Sequence, residues 1–219
     1  MAAVDISGTV RERAARELRD RILTGALPAG SRIDLDAITE EFATSRTPVR
    51  EALLELSFEG LVRVAPRSGI TVIGISAGDV RDSFVLLGVL TGQAAAWAAE
   101  RVTSDELAQL RELAAGVAAH SGDDGIGEAN WKFHQAIHHA AHSPRLLTQI
   151  KQAARVVPSN FLRVFPEHEK HSLHEHDQLL DAFESRDQAT ARVIAEKHVL
   201  EAGRFLADWL DRPQRDRPA

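Results

Sequence analysis

Apolar positions in the first third of the chain recur at helical spacing. Val10, Ala14, Leu18 and Ile22 form one stripe over about Thr9 to Thr24, and Gly25 closes it. Leu27-Pro28-Ala29-Gly30 reads as a turn. Leu35, Ile38 and Phe42 mark a second, short helix opened by Asp34 or Asp36. Only Ala43-Thr44 separates it from a third. There Ser45 or Thr47 can cap, Pro48 fits the first turn, and Val49, Ala52, Leu53 and Leu56 make one apolar face before Gly60. The pattern then changes period. Val62-Arg63-Val64 and Ile70-Thr71-Val72 alternate like strands, joined by Pro66-Arg67-Ser68-Gly69. This is the order of a helix–turn–helix followed by a wing.

Strand patterns vanish after Ser76-Ala77-Gly78-Asp79. Six helices are predicted over roughly 77–101, 104–120, 127–142, 144–165, 168–184 and 188–210. Thr103-Ser104-Asp105-Glu106 is a capping box, Ser143-Pro144 is a cap with a proline at the helix start, and Asp187 can cap the last helix. Pro166 separates the fourth from the fifth, and Pro158 can kink the fourth earlier. The expected fold is mainly α: a winged helix-turn-helix domain over 9–75, then an all-α antiparallel helical bundle over 76–211. Residues 1–8 read as a loose arm and the charged, proline-bearing tail 212–219 as disordered.

Composition narrows the function classes. The 219 residues have room for two small domains, and 44% hydrophobic residues suffice for their cores. No run of about 18 apolar residues predicts a membrane span, and Asp5 in a polar N-terminus argues against a secretory signal. The absence of cysteine excludes thiol chemistry and fits a cytoplasmic protein. A net charge of −6 argues against a generic nucleic-acid coat. Residues 1–75 hold ten arginines against eleven acidic residues, so affinity for DNA must come from where the arginines stand.

They stand at the start of the third helix. Arg46, Thr47 and Arg50 lie off its apolar face, and a helix entering the major groove puts its N-terminal residues on base edges, with Arg the usual reader of guanine. The run Ser45-Arg46-Thr47-Pro48-Val49-Arg50-Glu51-Ala52-Leu53 carries a specific resemblance. So do Leu18-x-x-x-Ile22-Leu23-x-Gly25-x-Leu27-Pro28-x-Gly30-x-Arg32 before it and Glu59-Gly60-Leu61-Val62 and Gly69 after it. Residues 9 to 75 resemble the winged-helix domain of GntR-type bacterial transcription regulators. That resemblance implies DNA contact by Arg32, Ser45, Arg46, Thr47, Arg50 and Gly69. Arg67, in the basic wing, is added because wings touch phosphate or the minor groove.

The histidines point to a second site. Nine of the ten follow residue 133. Asn130 and His134 are one turn apart on one helix, while His176 and His198 fall on two later ones. Three imidazoles from three antiparallel helices plus one oxygen can make a metal centre inside a bundle. A rival stripe, His134, His138 and His142, has i, i+4, i+8 spacing, and His171 and His174 flank His176. The helical half resembles the FCD domain of the FadR-like branch, nearer its six-helix VanR-like subset. The metal-binding members of that branch carry Asp-x-x-x-His on one helix and one His on each of two later helices. The resemblance implies Asn130, His134, His176 and His198 as ligands, with an amide where an aspartate is commoner. Zinc or nickel suits three imidazoles best. It also implies a small carboxylate effector completing the coordination sphere. A family arginine in Arg-x-x-Leu-Glu is replaced here by Leu87-Gly88-Val89-Leu90-Thr91, and Arg155 and Arg163 are the candidates to compensate.

The expected function is a ligand-responsive, sequence-specific DNA-binding transcription regulator, a repressor and not an enzyme. It would act as a homodimer on a near-palindromic operator, because a two-fold protein reads two-fold DNA. The alternatives are a regulator with a structural metal or no effector, and a His-rich metal-dependent hydrolase.

Overall fold

The computed structural model describes residues 8–65 and 69–212. They divide into two compact units, the first ending at Ala77 and the second spanning Gly78–Trp209, with the last turn of the final helix counted with the first. The wing tip 66–68, most of the N-terminal arm and all of the tail beyond Arg212 lie outside the described residues, so the expectations placed on them are untouched.

In the first unit α1 (Val10–Leu23) starts at a capping box. The Thr9 side chain accepts from the Glu12 N–H, and the Glu12 carboxylate accepts from the Thr9 N–H. α2 (Leu35–Glu41) is capped by Asp34, whose Oδ1 accepts from the N–H groups of Asp36 and Ala37. α3 (Arg46–Phe58) follows after Phe42–Ser45, a four-residue connection. Ala43 bends it through a left-handed backbone at φ 47°. Ser45 holds the N-cap position of α3, yet its side chain makes no cap hydrogen bond. The expected caps of α3 therefore leave its first N–H groups open to an external acceptor.

The sheet is antiparallel in the order β1 (Arg32–Ile33), β3 (Gly69–Val72), β2 (Val62–Ala65). Val62 faces Val72 and Ala65 faces Gly69, so β2 and β3 are a hairpin in simple register. β1 adds to its outer edge through Arg32 opposite Thr71. The apolar stripes of the three helices close on this sheet. Leu18, Ile22, Ile38, Val49, Leu53, Leu56, Val62 and Val72 form one core.

The second unit is all helical: α4 (Ala77–Arg101), α5 (Ser104–Ala119), α6 (Ile126–Ala140), α7 (Pro144–Ala153), α8 (Phe161–Val164), α9 (Pro166–Glu184) and α10 (Gln188–Asp211). The Thr103 capping box, the Ser143 cap ahead of Pro144 and the Asp187 cap all form. The fourth helix expected over 144–165 does not run through. It stops at Ala153, tightens into a 3-10 turn over Ala154–Val156, and resumes only as the single turn of α8. Pro158 is the cause. It bars the helical conformation to the residue before it, and Val157 is extended at φ −87°, ψ 117°.

α4 and α10 pack closely because small residues let them. A Cβ on Gly92 would stand 3.1 Å from the Arg192 carbonyl oxygen, and one on Gly203 only 2.5 Å from the Phe84 Cβ. α5 packs against α6 and α9, and α8 bridges α6 and α9. This brings the inner faces of α6, α9 and α10 together. Among the described residues no helix is long and apolar enough to cross a membrane.

Candidate metal centre and nucleic-acid interface

On α6 the buried residues Phe133, Ile137 and Ala140 fix which side of the helix faces inward. Asn130 and His134, one turn apart, lie on that border. α9 contributes His176 and α10 contributes His198, both among the few polar groups buried in the unit. The three imidazole rings meet with centroids 4.9–5.4 Å apart, His134 to His198 the nearest pair. One ring nitrogen from each lies within 4.8 Å of the others.

Nδ1 of the neighbouring His168 is buried without a hydrogen-bond partner, and within the expected ligand set so are two more atoms: Oδ1 of Asn130 and Nδ1 of His176. Leaving such atoms unsatisfied costs about 1–3 kcal/mol each. A cation held by Asn130, His134, His176 and His198 would relieve the latter two. The residues therefore fit a divalent metal with nitrogen and oxygen preference. The protonation state fits as well. Burial first, then the rings of His198 and His176, push His134 well below the usual imidazole range. Burial and the neighbouring histidines push His176 down in the same way. Both are neutral near pH 7, with lone pairs free to ligate.

Sequence reasoning missed the groups around the cluster. His198 Nδ1 lies 2.9 Å from Oε2 of Glu175, a carboxylate only 3% exposed, and Lys197 donates to Oε1 at 3.1 Å. Burial alone would raise the Glu175 carboxyl, but the hydrogen bonds from His198 and Lys197 outweigh it and hold it below its ordinary value. A carboxylate on Nδ1 fixes the tautomer that leaves Nε2 as the ligand atom. Ser172 Oγ stands 3.3 Å from His176 Nε2. His168, one layer along α9, is buried between Phe161 and Phe205 with its ring 5.7 Å from that of His198. Burial and His198 push its imidazole down to about 4. His168, Ser172 and His176 follow each other at i, i+4, i+8, which was the one available signal. For Glu175 there was none, because its partner is on another helix.

The rival stripe is not assembled. α6 ends at Ala140, and His142 lies beyond it in a left-handed backbone with Nε2 3.0 Å from Glu106. His171 and His174 are exposed on α9. Arg155 and Arg163 are also exposed, one in the 3-10 turn and one on α8, and neither belongs to the histidine group. The segment standing where the family arginine was sought is packed: Leu87, Gly88 and Thr91 are buried, and Thr91 Oγ1 donates to the Leu87 and Gly88 carbonyls.

In the first unit Ser45, Arg46, Thr47 and Arg50 are all exposed around the N-terminus of α3, and Arg32 is exposed on β1. Gly69 opens β3 with φ +85°, a conformation that favours glycine at the wing. Arg67 lies outside the described residues. Arg46 donates from Nε and Nη2 to the two carboxylate oxygens of Asp36, each at 2.8 Å. Arg50 has no ion pair among the described residues.

Residues 10–72 match the family model for bacterial regulatory proteins, gntR family, and residues 82–201 match the FCD domain. The chain is 33% identical over 139 residues to the HTH-type transcriptional regulator McbR of Escherichia coli, covering 62% of this chain and 63% of that protein. It is 28% identical over 224 residues to the galactonate operon transcriptional repressor of Escherichia coli, covering 90% and 96%. Against two uncharacterized HTH-type regulators of Mycobacterium tuberculosis it is 25% identical and spans 62% of their length. The solved structure of Escherichia coli McbR/YncC superposes with a TM-score of 0.73 at 24% identity, covering 92% of this chain and 98% of that one, a likeness of fold.

Proposed function

This chain belongs to the gntR family of bacterial regulatory proteins, with an FCD domain behind its winged helix, and we propose that it is a metal-assisted, effector-responsive repressor that binds operator DNA as a homodimer. The family's characterised members among its relatives are transcription regulators, not enzymes. Among the described residues, the carboxylate that contacts the histidine group, Glu175, is engaged by His198 and Lys197 and is not poised as a base toward an open site.

The DNA half of the proposal rests on α3. Its N-terminus is exposed, uncapped by Ser45, and flanked by Arg46, Thr47 and Arg50. Open N–H groups and the positive end of the helix dipole suit phosphate, while arginines reach base edges. Arg32, exposed on β1, and Gly69, at the start of β3, are assigned to the DNA backbone, and Arg67 is assigned there from its place in the basic wing sequence alone. Two copies related by a two-fold axis would read a near-palindromic site.

The effector half is carried by one observation: three imidazoles converge beside an unpartnered Asn130 Oδ1. Asn130, His134, His176 and His198 would hold zinc or nickel. When bound, such an ion is a Lewis acid that accepts a carboxylate oxygen. None of the four donors is a carboxylate or a thiolate, so a bound ion's charge would stay uncompensated inside the ligand shell, which favours an anionic effector. An organic acid would then release DNA only by binding one arrangement of the dimer more tightly than the other.

The first test is elemental analysis of the purified protein and of His134→Ala. About one metal per chain, lost in the variant, supports the centre, whereas no metal in either refutes it. Arg50→Ala should weaken operator binding at fixed salt by about tenfold or more, and unchanged affinity would refute the role of α3. Burial of His176 and His198 favours a second reading, in which the metal only braces the bundle. Under it, carboxylates leave both the thermal transition and operator binding of the metal-loaded protein unchanged.

A further inference from the structure

Two acidic residues open α2, and they do different work. Asp34 is the cap: its Oδ1 takes the N–H groups of Asp36 and Ala37 at 2.9 and 3.2 Å. The carboxylate of Asp36 is therefore not used by its own helix. It reaches across the connection to α3 and takes Nε and Nη2 of Arg46, both at 2.8 Å, as a parallel two-bond fork. A guanidinium is planar and has two such forks, one side-on (Nε with Nη2) and one end-on (Nη1 with Nη2). Asp36 occupies the side-on fork and leaves the end-on fork free. The pair lies on the surface, with both side chains more than half exposed. Exposed ion pairs of this kind contribute little to folding, so its consequence is the direction in which Arg46 points. Arg50, one turn further along α3, is exposed and has no ion pair among the described residues.

Resting on the reading of α3 as the helix that enters the major groove, we infer that Asp36 is a positioning residue for sequence readout. It holds Arg46 with its end-on fork presented to the O6 and N7 acceptors of a guanine, while Arg50 is left to adapt. Two consequences follow from the chemistry. First, an arginine fixed in advance loses less rotamer freedom on binding, and a planar fork held at one angle rejects bases without two acceptors side by side. Second, the pair is neutral overall. Arg46 then contributes less to counterion release than Arg50, so specificity at its base pair is separated from general attraction to phosphate. Asp36 and Arg46 belong to different helices, and the connection between them turns through Ala43 at φ 47°. The pair therefore reports the geometry of the helix–turn–helix itself.

The test is selection of randomised duplex DNA by the full-length protein, comparing wild type with Arg46→Ala, Asp36→Ala, Asp36→Asn and Asp36→Glu. Arg46→Ala is expected to lose a guanine preference at one position in each half-site. Asp36→Ala and Asp36→Asn are expected to lose the same preference at the same position, by about tenfold in discrimination. Asp36→Glu, which keeps the charge and both oxygens, is expected to restore part of it. Asp36→Ala combined with Arg46→Ala is expected to select the same sequences as Arg46→Ala alone. The inference is overturned if Asp36→Ala tightens binding to all sequences alike with a steeper salt dependence, because the carboxylate then only shields the arginine. If Arg46→Ala leaves selection unchanged, the reading of α3 fails first and the role of Asp36 with it. Thermal unfolding of each variant guards against a folding defect, which would depress binding to every sequence equally and leave the base preference intact.

Discussion

Ala43 carries the turn between α2 and α3 at φ 47°, where a Cβ meets its own backbone. Ala43→Gly is expected to relieve this and stabilise the first unit by about 0.5–1 kcal/mol, read as a higher urea midpoint. A lower midpoint would mean that glycine's freedom in the unfolded chain outweighs the relief. At the metal centre, removing the charge of Glu175 leaves His198 without its fixed tautomer. Glu175→Gln should lower cobalt or zinc affinity about 10–100-fold, by competition with a chromophoric chelator. A third expectation concerns pH. Burial, then His139, pushes His138 to about 4, against about 6.5 in an unfolded chain. Between those values the unfolded chain binds more protons, so metal-free stability falls as pH drops from about 6.5 towards 4. His138→Met should lose about 1–2 kcal/mol less than wild type between pH 7 and pH 5; equal losses would show that His138 does not stay neutral in the folded state. The grouping of His134, His176 and His198 was legible in the sequence because helical spacing and family resemblance name the same positions. The roles of Glu175 and Asp36 were not, because their partners are set by packing between helices.

Among the elements, those with explicit end signals were readable in advance. Thr9, Asp34, Thr103, Ser143 and Asp187 all cap where the pattern places helix starts. Misreading came where one apolar run served two conformations. Leu146 to Phe165 keeps helical spacing through the break at Ala153, and only the local demand of Pro158 divides it. The stripe of His134, His138 and His142 failed likewise, because α6 ends two residues before the third. Close helix packing was invisible in advance, since Gly203 looks like a weak spot until Phe84 is found against it. Gly203→Ala is expected to cost about 1–3 kcal/mol by forcing α4 and α10 apart, measured by denaturation. A cost under about 0.5 kcal/mol would show that the two helices can shift.

For the molecule as a whole, two units with separate cores should respond separately. Saturating zinc is expected to raise the unfolding temperature of the helical unit and leave the winged unit unchanged, because only the second contains the donors. At a thousandfold excess over Kd, binding contributes about 4 kcal/mol. Calorimetry with and without a chelator checks this, and equal shifts of both transitions would indicate binding elsewhere. The placement of those donors has a consequence for synthesis. His134 and His176 leave the ribosome before His198, and α10 follows the other two helices in the chain. A growing chain therefore exposes an incomplete set of imidazoles until α10 emerges. If the proposed centre binds its ion, capture would be a late event that reports completion of the helical unit, and a message cut short before α10 would yield a product without His198.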